Sequence, residues 1–230
     1  MQLRLTKGLE MTTELEAENQ VADFSGRYLR EQDLSESDFT GISFKGADLR
    51  GANLANSIFK DADFEGADLT RCNLRNSDFT GANLEKAILK RSNLCGANFT
   101  DANMASVDFL SAKLFDYKVN GNGIRYVTKA NFTRTVLRYA SFLDTLFADV
   151  ISMAEANLEG ADFTGADLRW VDFERANLKH ARFNKTDLTD ANLEWSDATN
   201  ANFTGAKTEF MHCTATNLSG AIGYLPPAER

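Results

Sequence analysis

The chain has 230 residues and is acidic: 33 Asp and Glu stand against 25 Lys and Arg, a net charge of -8. That balance speaks against a basic nucleic-acid-binding body. A 43% apolar content with only two prolines argues against disorder, and no apolar run approaches the roughly 18 residues of a membrane span.

Residues 1–21 begin "MQLRLTKGLEMTTELEAENQ" and lack the apolar core of a signal peptide. The stretch lies outside every later pattern and is fairly helical around "TTELEAENQ", so it reads as a short, partly helical N-terminal cap. Cys72, Cys95 and Cys213 form no CxxC and no disulfide framework. A reducing, cytoplasmic location is expected, or a plastid or thylakoid-lumen one if a targeting segment has been removed.

From residue 22 the chain is periodic. "GADLRGANLANSIFKDADFEGADL", residues 46–69, repeats every five residues, which suits neither a helix at 3.6 nor a strand at two. Each unit has a large apolar centre, with a small residue two positions before it (Ala47, Ala52, Ser57, Ala62) and Asp or Asn between (Asp48, Asn53, Asp63). Centres run from Phe24 to Val119 without a slip, then from Val127 to Phe147, then from Met153 to Leu218. The two breaks read as a bulge of three residues over about 119–127 and a one-residue irregularity at about 147–153.

The identity of the centres reveals a longer period of 20. One set reads Phe39, Phe59, Phe79, Phe99, Val119, Phe142, Phe163, Phe183, Phe203; its neighbour reads Leu34, Leu54, Leu74, Leu94, Leu114, Leu137, Leu158, Leu178, Ala198, Leu218. Four five-residue sides per coil would stack like on like up the interior. The expected fold is all-β, a quadrilateral parallel β-helix over 22–223 of about ten coils. Backbone amides would pair from coil to coil at roughly 4.8 Å, and Asp, Asn, Ser and Gly would turn the corners. Residues 224–230 form a C-terminal tail in which Pro226 and Pro227 block a further coil.

Units such as "GADLRGANLA", "GADLTRCNLRNSDFTGANL" and "ANLEGADFTGADLRWVDFERANL" resemble the pentapeptide-repeat family, whose motif is A(D/N)LXX. The resemblance covers about residues 22–222. It implies a right-handed β-helix, a handedness that the periodicity does not supply. It implies much less about function. Some members resemble DNA and bind type II topoisomerases, giving quinolone resistance; others, abundant in cyanobacteria and plastids, include regulators of differentiation. The Ala-rich small position is more like the second group, whereas a loop such as "VNGNGIRY" is common in the first.

The residues point away from catalysis. Asp and Asn recur in every coil, and a ladder of equivalents supplies no carboxylate pair in a distinct environment. His180 and His212 are outward and lack ligand spacing. The glycine pair of "GNG" at 121–123 lacks the third glycine and the helix of a phosphate cradle. No cofactor, no metal and no enzyme are expected. Cys72 reads as an inward small residue, Cys213 as a centre, and Cys95 as an outward, exposed thiol.

DNA mimicry can be weighed by charge. A rod of roughly 48 Å would replace duplex carrying about 28 charges, at one per roughly 1.7 Å. The most acidic side, assigned under Phe24, Phe44 and Phe64, holds Asp23, Asp63, Glu65, Glu85, Asp149, Asp167, Asp187, Asp190 and Glu209 against Lys45, Lys86, Lys129, Arg169 and Lys207. The next side carries a basic stripe, Arg30, Arg50, Arg71, Lys90 and Arg91.

Outward aromatic residues say more. Trp170 and Phe210 share an outward column two coils apart, and Trp195 lies on the adjacent side. Exposed aromatic patches mark contact surfaces, unless the tail covers this one. With Asn120, Gly121, Asn122, Gly123, Ile124, Arg125 and Tyr126 of the bulge they form the candidate interface. Leu110 and Phe115 are expected beneath that loop. The expected function is a non-enzymatic scaffold or regulator that binds a protein partner, with no membrane or direct nucleic-acid contact. A DNA-mimicking binder of DNA gyrase is the alternative, and the C-terminal end offers a homodimer surface.

Overall fold

The computed structural model describes residues 22–119, 125–143, 145, 147 and 151–224. The proposed cap at 1–21 and the tail beyond Tyr224 lie outside them. Parallel bridges link each residue before a centre to its counterpart 20 positions on, as in Asp23 to Ser43 and Asp38 to Ile58. Every centre therefore sits above the fourth one after it. We number the walls from the first lap: Phe24, Leu29, Leu34 and Phe39 begin the first to fourth walls. Nine laps can be followed from Phe24 to Cys213, about 43 Å at ~4.8 Å per lap.

Each five-residue unit explains its own corner. The carbonyl of Phe24 accepts from Arg27 N–H at 3.1 Å, and Gly26 between them has φ +64°. A positive φ at the third turn residue alone defines a type II turn, which glycine adopts without steric cost. Asp or Asn before the centre accepts from the backbone two residues on, as Asp38 Oδ1 does from Thr40 N–H at 2.9 Å. This Asx turn closes the approach to the corner. Some polar residues at the small position return a bond to the preceding lap: Ser57 Oγ donates to Leu34 O at 2.8 Å, and Cys72 Sγ to Leu49 O at 2.9 Å, whereas Ser77 and Ser92 donate within their own lap. Asn side chains also ladder between laps, Asn73 Nδ2 donating to Asn53 Oδ1 at 3.0 Å.

Stacked rings fill the interior. Phe39, Phe59, Phe79 and Phe99 lie one above the next at 5.3, 4.8 and 5.2 Å. Phe24, Phe44 and Phe64 stack on the first wall and meet the fourth-wall rings edge to face, as at 5.4 Å between Phe39 and Phe44. The twelve residues expected as core, Leu34, Leu54, Leu74 and Leu94 with Phe39, Phe59, Phe79, Phe99, Phe142, Phe163, Phe183 and Phe203, are all buried.

The break near residue 119 differs from the sequence expectation. Phe115–Val119 (β1) and Arg125–Lys129 (β2) pair antiparallel as a hairpin, with Val119 opposite Arg125. Val119 and Val127 are strand residues and not centres; Val127 is 36% exposed. The coil resumes at Ala130, whose N–H donates to Leu114 O at 2.8 Å. Bridge partners across the insertion are 33 positions apart, Asn98 with Asn131, where 20 is regular. Thirteen inserted residues replace the expected three, and the difference of ten is two full sides.

Both sorted sets consequently change to the opposite wall. Phe99 stacks on Phe132 at 5.3 Å, and Phe142, Phe163, Phe183 and Phe203 continue the second wall below Phe109, which stacks on Phe142 at 4.5 Å. Leu137 and Leu158 likewise continue the first wall and not the third, since Met104 N–H donates to Val136 O. Sequence periodicity modulo five cannot distinguish an insertion of three from one of thirteen. After the second break the bridge offset is 21, Asn131 to Ser152, so one extra residue lies in this lap.

The Asx turns make the rod acid-sensitive. Hydrogen bonds from the Ser35 and Thr40 hydroxyls, then from their backbone N–H groups, hold the carboxyls of Asp33 and Asp38 below the usual range. In Asp78 burial works the other way, and Thr80 and Lys60 outweigh it. A carboxyl lowered on folding contributes stability above its unfolded value near 3.9, and that contribution is lost as pH falls through the folded value. The melting temperature is expected to hold between about pH 7 and 5 and to fall below about pH 4. An unchanged value at about pH 2.5, followed by circular dichroism, would contradict this account.

Candidate interaction surfaces

The hairpin occupies the corner after the third wall, replacing the turn that follows Leu114. Arg75 Nη1 and Lys113 Nζ reach Asp116 at its base, at 3.1 and 3.3 Å. A Cβ on Gly96 would meet Thr128 Cγ2 at 2.9 Å, so β2 lies against the corner one lap above. Cys95 is covered there. It is fully buried, not the exposed thiol expected, and burial pushes its pKa up. Cys72 is also buried, its thiol pushed up to about 12. Leu110 and Phe115 are half-buried. Of the loop's candidate residues, Asn120, Gly121, Asn122, Gly123 and Ile124 lie outside the described residues, while Arg125 and Tyr126 belong to β2.

Trp170 and Phe210 sit on that same corner in the seventh and ninth laps, with Asp190 between them: Trp170 N–H donates to Thr189 O, and Asp190 N–H to Glu209 O. Trp195 occupies the next corner in the eighth lap. The three are 44%, 71% and 59% exposed respectively. Tyr224 is the last described residue and packs on Phe203 at 5.9 Å instead of covering them. All three take the left-handed turn position, at φ 60°, 57° and 62°. A bulky residue there is a conformational outlier. Glycine fills the equivalent place at Gly160, Gly165 and Gly205.

Tyr139 is a further exposed aromatic residue, on the diagonally opposite corner after the first wall, and was missed in the sequence. It is 59% exposed at φ 57°, its ring lies where a Cβ on Gly160 would be, and the Arg138 guanidinium stands 5.4 Å from its centroid. The signal was present, since Tyr139 stands two positions after the centre Leu137, as Trp170 does after Leu168.

The wall exchange also redistributes charge. The first wall continues through Leu137, Leu158 and Leu178, so Asp167, Asp187, Asp190 and Glu209 do not share a side with Asp63 and Glu65. The side assigned as most acidic is therefore divided between opposite walls. The fourth wall is the most acidic, with the third next. It carries Asp38, Asp61, Asp78, Asp101, Glu155, Asp172, Glu174 and Glu194 against Lys60, Arg134 and Arg175. Arg134 neutralises Asp101 through two bonds of 2.7 and 2.8 Å. His180 and His212 are exposed. Among the described residues no group of three or more His, Cys, Asp or Glu could hold a metal ion.

These features define a class before any comparison: a solenoid of four-sided laps with a hairpin inserted at one corner and aromatic side chains displayed beyond it. Pentapeptide repeats match in eight copies, spanning residues 22–114 and 151–205. The chain belongs to the pentapeptide-repeat family, whose members form right-handed β-helices. It is similar to HetL, a pentapeptide repeat protein involved in heterocyst differentiation regulation from the cyanobacterium Nostoc sp. strain PCC 7120. The two are 26% identical over 87% of this chain and 88% of that one, with a TM-score of 0.51. QnrB1, a plasmid-mediated fluoroquinolone resistance protein, shares the fold at 22% identity over 78% of this chain and 90% of its own, TM-score 0.51. No curated protein matches the sequence.

Proposed function

We propose that this protein is a non-enzymatic binding rod, a scaffold or regulator that engages a protein partner along the corner bearing the hairpin, Trp170 and Phe210 and the adjacent corner bearing Trp195. The observation that carries the reading is the exposure of Trp170, Trp195 and Phe210 at left-handed positions. The backbone gains no ease from them and the rings remain largely exposed, while binding hot spots are enriched in Trp and Tyr. Similarity to HetL, a regulator in name, supports the same reading. Three free cysteines fit a reducing, cytoplasmic location. A homodimer through the C-terminal end is included, because Leu218 and Ala221 are only partly buried and Ile222 is 55% exposed.

The alternative is a gyrase-binding DNA mimic, supported by the inserted hairpin and the acidic fourth wall. The charge comparison weighs against it. A duplex as long as nine laps would carry about 25 charges, and the fourth wall has eight acids and three bases. Cross-linking of the full chain against the Trp170→Ser/Trp195→Ser variant tests the first reading: the same partners captured by both proteins would overturn it. A purified gyrase supercoiling assay tests the second. No change at micromolar protein retires mimicry, whereas inhibition or quinolone protection makes it the better account.

A further inference from the structure

The corner after the second wall, one corner before the hairpin's, carries the basic stripe of the first four laps. There the side chains enclose a groove of about 480 Å³. Arg50, Arg71, Lys90 and Arg91 line it together with Thr70 and Leu110. Several of these charges are already engaged. Arg30 Nε and Arg50 Nη2 both reach Asp48 Oδ2 at 2.7 Å, Arg50 Nε also lies 3.5 Å from Asp68, and Lys90 lies 3.0 Å from Asp108. Arg71 and Arg91 differ. Both are exposed, they stand one lap apart on the same column, and among the described residues neither has an ion pair or side-chain hydrogen bond.

We propose that this groove binds a small phosphate-bearing ligand, with Arg71 and Arg91 as its anchoring forks. Two arginines whose backbones are one lap, about 4.8 Å, apart along the rod are served together by an anion with acceptors on more than one face. A tetrahedral phosphate offers that to both forks, while a single carboxylate matches one. The groove is in the size range of small-molecule sites, so it admits a phosphate ester or a pyrophosphate rather than the bare anion alone. Glu31 on the rim adds one negative charge, which favours ligands that present their phosphate away from it. This site is independent of the proposed partner-binding corners.

Titration calorimetry of the full chain with inorganic pyrophosphate, inorganic phosphate and acetate tests the proposal. Pyrophosphate is expected to bind below about 1 mM, inorganic phosphate more weakly, and acetate, a single carboxylate, at least about tenfold more weakly than pyrophosphate. Arg71→Gln/Arg91→Gln should lose at least about tenfold in pyrophosphate affinity with unchanged circular dichroism. Arg175→Gln, on the fourth wall, should lose none. Absence of pyrophosphate binding, equal binding by the double variant, or acetate binding as tightly as pyrophosphate would each overturn it.

Discussion

Replacing Phe132 by alanine is expected to cost about 3–5 kcal/mol of stability, the usual range for a large-to-small change in a packed core. Phe132 is fully buried, stacks on Phe99 at 5.3 Å and meets Phe109 edge to face at 5.8 Å. It is the first centre after the hairpin, so its deletion removes ring contacts to the laps on which the chain re-enters the coil. A double-mutant cycle with Phe99→Ala should return a coupling of about 0.5–1.5 kcal/mol, the range of aromatic pairs. Val127→Ala should cost less than about 1 kcal/mol, as surface changes do. Urea denaturation measures all three. A Val127 effect as large as that of Phe132, or no coupling between Phe99 and Phe132, would return the chain to the three-residue bulge and its wall assignments.

The second large effect separates binding from folding. A triple variant, Trp170→Gly, Trp195→Gly and Phe210→Gly, is expected to weaken partner capture by at least about 30-fold, equivalent to one hot spot, without destabilising the rod. A side chain in the left-handed region costs roughly 1–2 kcal/mol, and glycine gives back about 0.5–1 kcal/mol in chain entropy. The net expectation is a gain of up to about 1.5 kcal/mol at Trp195 and at Phe210. At Trp170 the Arg169 guanidinium, 5.3 Å from the indole centroid, offsets the gain, since an exposed cation–π contact is worth about 0.5–1 kcal/mol. Thermal melts and the cross-linking assay measure the two arms. Loss of more than about 2 kcal/mol on the triple change would mean the rings stabilise the fold, and the case for an interface would fail.

The five-residue beat determined a great deal alone. A large centre, a small residue before it and Asp or Asn between them specify the inward side chain, the type II corner and the Asx turn, all of which are contacts within a few residues. The exposed positions of Trp170, Trp195 and Phe210 were legible for the same reason, because facing in or out depends only on phase within the five. Tyr139 was legible by that rule and went unread.

What only the tertiary structure decided is which walls the two halves share. Register across the hairpin depends on the number of residues that leave the coil, and insertions of three and thirteen leave an identical five-residue phase. Hydrogen bonds between residues 33 positions apart settle it. They move the Phe column to the opposite wall, divide the apparent acidic face, and cover Cys95 with the base of the hairpin. Local chemistry sets the shape of each unit, but alignment along the rod is a long-range property that no short window of sequence contains.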